Sequence, residues 1–101
     1  MTERADDPVS ELRREVDLVD RELVRLLAER RRLVARLAAA KRHARLEAID
    51  PAREAELHAR WAEHAEASGL PGEIVSGVLE AILGSSREHV AALRAERDDD
   101  V

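Results

Sequence analysis

The stretch SELRREVDLVDRELVRLLAERRRLVARLAAAKRHAR, residues 10–45, decides the fold. Its apolar residues Leu12, Val16, Val19, Leu23, Leu26, Leu33 and Leu37 recur in alternating steps of four and three, with one step skipped at position 30. That is the period of a single helix face. Neither Gly nor Pro interrupts residues 10–50. The spacing predicts one helix from about Ser10 to about Arg45, with Ser10 as N-cap and Glu11 adding favourable charge to the first turn.

Length then argues for a partner. At 1.5 Å per residue this helix is roughly 50 Å long. A compact domain of about 100 residues has a radius of gyration near 13 Å. The rest of the 101-residue chain is too short to cover such a stripe. The stripe is therefore expected to pack against a second copy, as an antiparallel two-fold dimer.

Outward from that helix, Met1 to Val9 is polar and holds Pro8, and reads as a loose tail. Leu46 to Ile49 is a short connection. Asp50-Pro51 is an N-cap followed by a first helical residue. It opens a second helix to about Ala67, with Leu57, Trp61 and Ala65 on one face. Ser68-Gly69 ends it, with Gly69 suited to the left-handed position after a helix. A third helix runs from about Pro71 to Ala95, with Val75, Val78, Leu79, Ile82, Leu83, Val90 and Leu93 inward. The terminal ERDDDV is an acidic tail. The expected organisation is a disordered tail at 1–9, a single helical domain at 10–95 and an acidic tail at 96–101. The fold class is all-α, a three-helix chain with one long N-terminal helix, in an intertwined antiparallel homodimer.

Composition narrows the function. Hydrophobic residues make up 45% of the chain, mostly Ala, Leu and Val, and Trp61 is the single aromatic. Cysteine is absent, which removes disulfides, thiolate chemistry and thiolate metal sites. A net charge of −5 argues against nucleic acid as the main partner. No apolar run reaches membrane-spanning length, and the start MTERADDPVSE has no apolar signal core. A cytoplasmic, helical protein with no membrane partner is expected. His43, His58, His64 and His89 show no helical ligand spacing, so no metal site is expected. Phosphate loops and nucleophile elbows are missing as well.

The informative residues are polar ones where the helical period demands apolar ones. The stripe of the long helix places Arg30 at its sixth position and Lys41 at its ninth. A buried unpaired cation is costly, so each must snorkel, pair with a carboxylate or bind an anion. A coiled-coil register device is the plainer alternative. Eleven residues apart, they share a face about 16 Å apart along the axis. Arg13 lies about 25 Å from Arg30 on the same helix. In an antiparallel dimer, however, it approaches the Arg30–Lys41 half of the partner. Alone it reads as a surface arginine. Asp50 has an ordinary role as N-cap, and Arg53 with Glu54 would ordinarily be a solvated pair. Ser86 falls on the inward stripe between Ile82 and Val90, where its hydroxyl needs a partner or bonds back to the carbonyl four residues earlier.

These pieces together resemble the all-helical (type II) class of chorismate mutases. They are L-R-x-E-[VI]-D-x-[VL]-D at Leu12–Asp20, L-L-A-E-R-R at Leu26–Arg31, A-x-x-K at Ala38–Lys41, D-x-x-R-E at Asp50–Glu54, Gly69–Pro71, and S-R at Ser86–Arg87. No piece is specific alone. Their order and spacing carry the resemblance, which runs from about Glu11 to Val90.

The resemblance implies an intertwined homodimer of three-helix chains, each site taking one arginine from the partner. It implies a Claisen rearrangement of chorismate to prephenate, on the route to aromatic amino acids. That shift is unimolecular and needs no nucleophile, metal or cofactor. The protein must hold a flexible dicarboxylate in its reactive conformer and stabilise charge developing on the ether oxygen. Carried over by position, Arg13 of the partner and Arg30 would clamp the carboxylates. Lys41 would contact a carboxylate and the ether oxygen. Asp50 and Glu54 would hold the ring hydroxyl, Arg53 would support the pocket, and Ser86 would meet a carboxylate. The catalytic set is Arg30, Lys41 and Glu54.

One position departs. Where the family usually places Gln or Glu, four residues after the serine, this chain has Val90. Losing one such donor costs on the order of 10²–10³ in rate. This predicts a slow mutase, a mutase dependent on an activating partner enzyme, or a substrate other than chorismate. Helical relatives rearrange aminodeoxychorismate or remove pyruvate from isochorismate. The run R-W-A-E at Arg60–Glu63 looks like the lyase members, whereas Asp50, Glu54 and Ser86 look like the mutases. A non-catalytic helical dimerisation module is the remaining reading. It explains neither the cations in the seam nor the coincidence of Asp50, Glu54 and Ser86.

Overall fold

The computed structural model describes residues 7–99 of the chain, so positions 1–6 and 100–101 of the two expected tails lie outside the described residues. Three helices account for the architecture: α1 at Pro8–His43, α2 at Pro51–Ser68 and α3 at Gly72–Asp99. Among the described residues there is no strand. The all-α, three-helix reading with one long N-terminal helix holds.

The chain divides into two units, one through Leu33 and one from Val34 onward. The first consists of the N-terminal part of α1. It starts two residues before the expected cap. Asp7 takes that role, accepting from the Val9 amide at 3.2 Å and the Ser10 hydroxyl at 3.4 Å, while Pro8 occupies the first helical position. Proline there loses no helical hydrogen bond and its φ is preset, so Asp7-Pro8 is a stronger start than Ser10. Arg25 binds Glu22 at 2.6 Å and Glu29 at 3.0 Å, ion pairs on the exposed surface. Along the stripe, Leu12, Val16, Val19, Leu23, Leu26 and Leu33 are all exposed in the single chain, Leu23 to 54%.

The second unit holds the last turns of α1, then α2 and α3. α1 ends at His43, two residues before the expected Arg45. Arg45 adopts a positive φ of 62°, and the amide of Leu46 reaches back to the carbonyl of Lys41 at 2.7 Å. This six-to-one closure satisfies an orphan carbonyl and turns the chain. α2 opens on Asp50 and closes on Gly69 at φ 72°, whose N–H returns to Glu66. Only glycine takes that conformation freely. Pro71 precedes α3 as its cap, its carbonyl accepting from Ile74 at 3.2 Å.

α2 and α3 pack antiparallel, Glu54 opposite Arg87 and His58 opposite Glu80. The core is small: Leu79 is wholly buried, with Leu83, Ala65 and Ala38 nearly so. Leu57, Trp61, Val75, Ile82, Val90 and Leu93 are half-buried as their spacing predicts. Val78, expected inward, is exposed. α3 continues past Ala95 to Asp99, because no Gly or Pro stops it.

Candidate active site

Three helices of the second unit bring polar side chains to one cavity of about 110 Å³. Lys41 reaches it from the last turn of α1, Arg53 and Glu54 from the first turn of α2, and Ser86, Arg87 and Val90 from the middle of α3. Leu37, Leu57 and Leu83 form part of its apolar wall. Lys41 and Ser86 stand where a helical stripe would otherwise be apolar, and both are half-buried.

The start of α2 is fixed by Asp50. Its backbone is extended, at φ −124° and ψ 96°, and its carboxylate accepts from the Arg53 amide at 3.1 Å. With Pro51 at the first helical position, this cap sets the direction in which Arg53 and Glu54 leave the helix. Asp50 itself is exposed. The Arg53 guanidinium binds Glu56 at 3.0 Å. The ammonium of Lys41 donates to the carbonyl of Ala48 at 3.4 Å.

The strongest polar contact in the cavity joins Glu54 to Arg87. Nη2 of Arg87 donates to Oε1 at 2.7 Å and Nε to Oε2 at 3.0 Å. This is the planar two-point match of guanidinium and carboxylate. The Glu54 side chain is 24% exposed and that of Arg87 40%. The hydrogen bonds from Arg87 hold the Glu54 carboxyl below its ordinary value, against partial burial, which pushes it up; the charges of Arg87 and His58 add to the lowering. Arg87 is pushed up in turn, chiefly by the same hydrogen bonds.

Of the residues singled out from sequence, the structure gathers Lys41, Arg53, Glu54, Ser86 and Val90 around one cavity. Asp50 acts as the cap of α2. Arg13 and Arg30 belong to the first unit, where Arg13 is exposed and Arg30 half-buried. Arg87 was given no role from sequence beyond its place in the S-R pair. A signal was present: Leu83, Arg87 and Val90 recur at steps of four and three, so a cation interrupts the inward face of α3 much as Arg30 interrupts α1. Among the described residues no group of His, Asp and Glu could hold a metal ion, and no helix is long and apolar enough to cross a membrane.

The family model described as Chorismate mutase type II matches residues 12–91. The chain belongs to the chorismate mutase type II family. All the candidate residues, Arg13 through Val90, fall inside the matched span. The T-protein of Enterobacter agglomerans is similar to this chain, 37% identical over 75 residues. That alignment covers 74% of this chain and 20% of the T-protein, so the chain spans about a fifth of that relative's length. Membership in the chorismate mutase type II family agrees with a cavity built from cations and a single carboxylate on three helices.

Proposed function

We propose that the protein is a chorismate mutase, converting chorismate to prephenate in aromatic amino acid biosynthesis without a covalent intermediate. One observation carries the reading: Lys41, Arg53 and Arg87 line the cavity with Glu54 the one lining carboxylate among the described residues, so cations outnumber anions in the lining. Such a balance suits a small dicarboxylate and repels a cationic guest. In this reading Lys41 faces the ether oxygen and one carboxylate, where a fixed ammonium stabilises charge that grows as the C–O bond breaks. Glu54, ionised, accepts a hydrogen bond from the ring hydroxyl. Ser86 donates to a carboxylate, Asp50 stands by the hydroxyl end, and Arg53 supports the pocket. Arg30, with Arg13 of a partner subunit, clamps the carboxylates and holds the compact conformer.

The site is completed in this reading by a homodimer. The exposed stripe of α1 supports it, since contiguous apolar surface on a helix marks an interaction face. Val90, apolar and lining the cavity, favours a second reading on the same fold. In that reading the substrate is aminodeoxychorismate or isochorismate, or an activating partner enzyme makes up for the missing donor. The test is a panel of chorismate, aminodeoxychorismate and isochorismate on purified protein, with products resolved by chromatography. Prephenate from chorismate at the highest kcat/KM is expected. Turnover of isochorismate alone, or of none of the three, overturns the reading.

A further inference from the structure

Among the described residues Glu54 is the only carboxylate lining the cavity, so what fixes its charge and direction decides which group of a ligand can meet it. The groups around it are Lys41 from α1, Arg53 and His58 from α2, and Arg87 from α3. His58 is itself held by Glu80 at 2.9 Å, and Arg53 by Glu56 at 3.0 Å. Lys41 donates to the carbonyl of Ala48. Of these, Arg87 alone reaches both oxygens of Glu54, across helices and over a sequence separation of 33 residues.

We propose that Arg87 is the positioning residue of this cavity, fixing Glu54 as an acceptor-only group so that the site selects a ligand offering a hydroxyl donor there and turns away one offering an acid. The claim rests on the chorismate mutase reading and extends it to a residue outside the set carried over from the family. An ionised carboxylate has about four lone-pair positions and no proton to give. The fork takes one position on each oxygen. The remainder can accept from a ligand hydroxyl, while a ligand carboxylate placed there meets like charge. The two hydrogen bonds also stop rotation of the Glu54 head, so a bound hydroxyl finds it already aligned.

The test labels the glutamates of the whole chain with ¹³C at the carboxyl carbon and follows Glu54 by NMR as a function of pH. Glu54→Gln assigns the signal. In Arg87→Gln the Glu54 midpoint should rise, because the hydrogen bonds that lower it are gone. Its kcat/KM on chorismate should fall about tenfold or more, the loss of a hydrogen bond to a charged group, and most of the loss should appear in KM. Arg87→Lys keeps the charge without the fork, so it should restore most of the midpoint and only part of the activity. An unmoved midpoint in Arg87→Gln overturns the proposal, as does a moved midpoint with unchanged kinetics. Loss of the helical circular dichroism in Arg87→Gln transfers the test to Arg87→Lys, where full activity overturns it. A wild type inactive on chorismate sinks the functional reading alone, because the titration needs no substrate.

Discussion

Glu54 on α2 and Arg87 on α3 meet through two hydrogen bonds of 2.7 and 3.0 Å, a two-point ion pair between helices. It lines the cavity, half-buried. A pair at that place ties the alignment of α2 against α3 to the chemistry of the site, so disturbing one disturbs the other.

The pair makes stability depend on pH in a defined direction. Glu54 is held below its ordinary value in the folded chain, so the unfolded state binds its proton more readily. The contribution is fully present above the unfolded value of about 4.3 and is lost as pH falls through the folded value. Urea midpoints of wild type and Glu54→Gln should therefore differ at pH 7 and converge in acid. A gap that stays constant down to about pH 3 refutes this linkage.

Val90 predicts a gain. It lines the cavity beside Ser86 and Arg87 and has no donor to offer. Val90→Gln should raise kcat/KM on chorismate by up to about 10²-fold, the value of one well-placed donor to a developing charge. No gain means that position 90 does not face the ether oxygen.

Asp50 carries two assignments that can be separated. As N-cap of α2, its replacement by alanine should cost about 1 kcal/mol of stability, and Asp50→Ser should recover most of it. If Asp50 also meets the ring hydroxyl, Asp50→Ser stays folded yet loses activity. Thermal melts and kinetics on the same samples give both answers.

Arg30 separates an enzyme from an assembly module. It interrupts the α1 stripe and is half-buried in the first unit. Arg30→Ala in a mutase should lose several orders of magnitude in kcat/KM while sedimentation shows the same oligomer. Unchanged turnover in this variant rules Arg30 out of the site.

Leu23 tests the proposed dimer. In the single chain it is exposed, so Leu23→Glu should cost less than about 0.5 kcal/mol there. Across a helix-to-helix seam the same change buries a charge on each side, and the particle should sediment as a monomer. A variant that remains dimeric places the interface elsewhere.

The helices were legible because their stripes follow one period over many residues. α2 was read within one residue of its observed end since Asp50-Pro51 and Gly69 mark its limits chemically. The start of α1 falls at Asp7-Pro8, the same signal as Asp50-Pro51, ahead of the Ser10 that the apolar stripe suggests. The acidic run ERDDD reads as a tail, yet with no glycine or proline to stop it, α3 continues to Asp99. Lys41 and Ser86 are legible as polar interruptions, and Glu54 through its place in the D-x-x-R-E piece. Arg87 also interrupts a helical face, but its partner Glu54 lies in another helix, and a pairing over 33 residues leaves no periodic trace.

The bare apolar flank of α1 has one more implication, which follows from mass action under the proposed pairing. If half of what that helix buries is supplied by another molecule, the melting temperature is not a constant of the chain: it climbs with protein concentration and sinks on dilution. A cell would then tune how much working enzyme it holds partly through expression level, and an assay run at nanomolar protein would sample a different population from one run at micromolar.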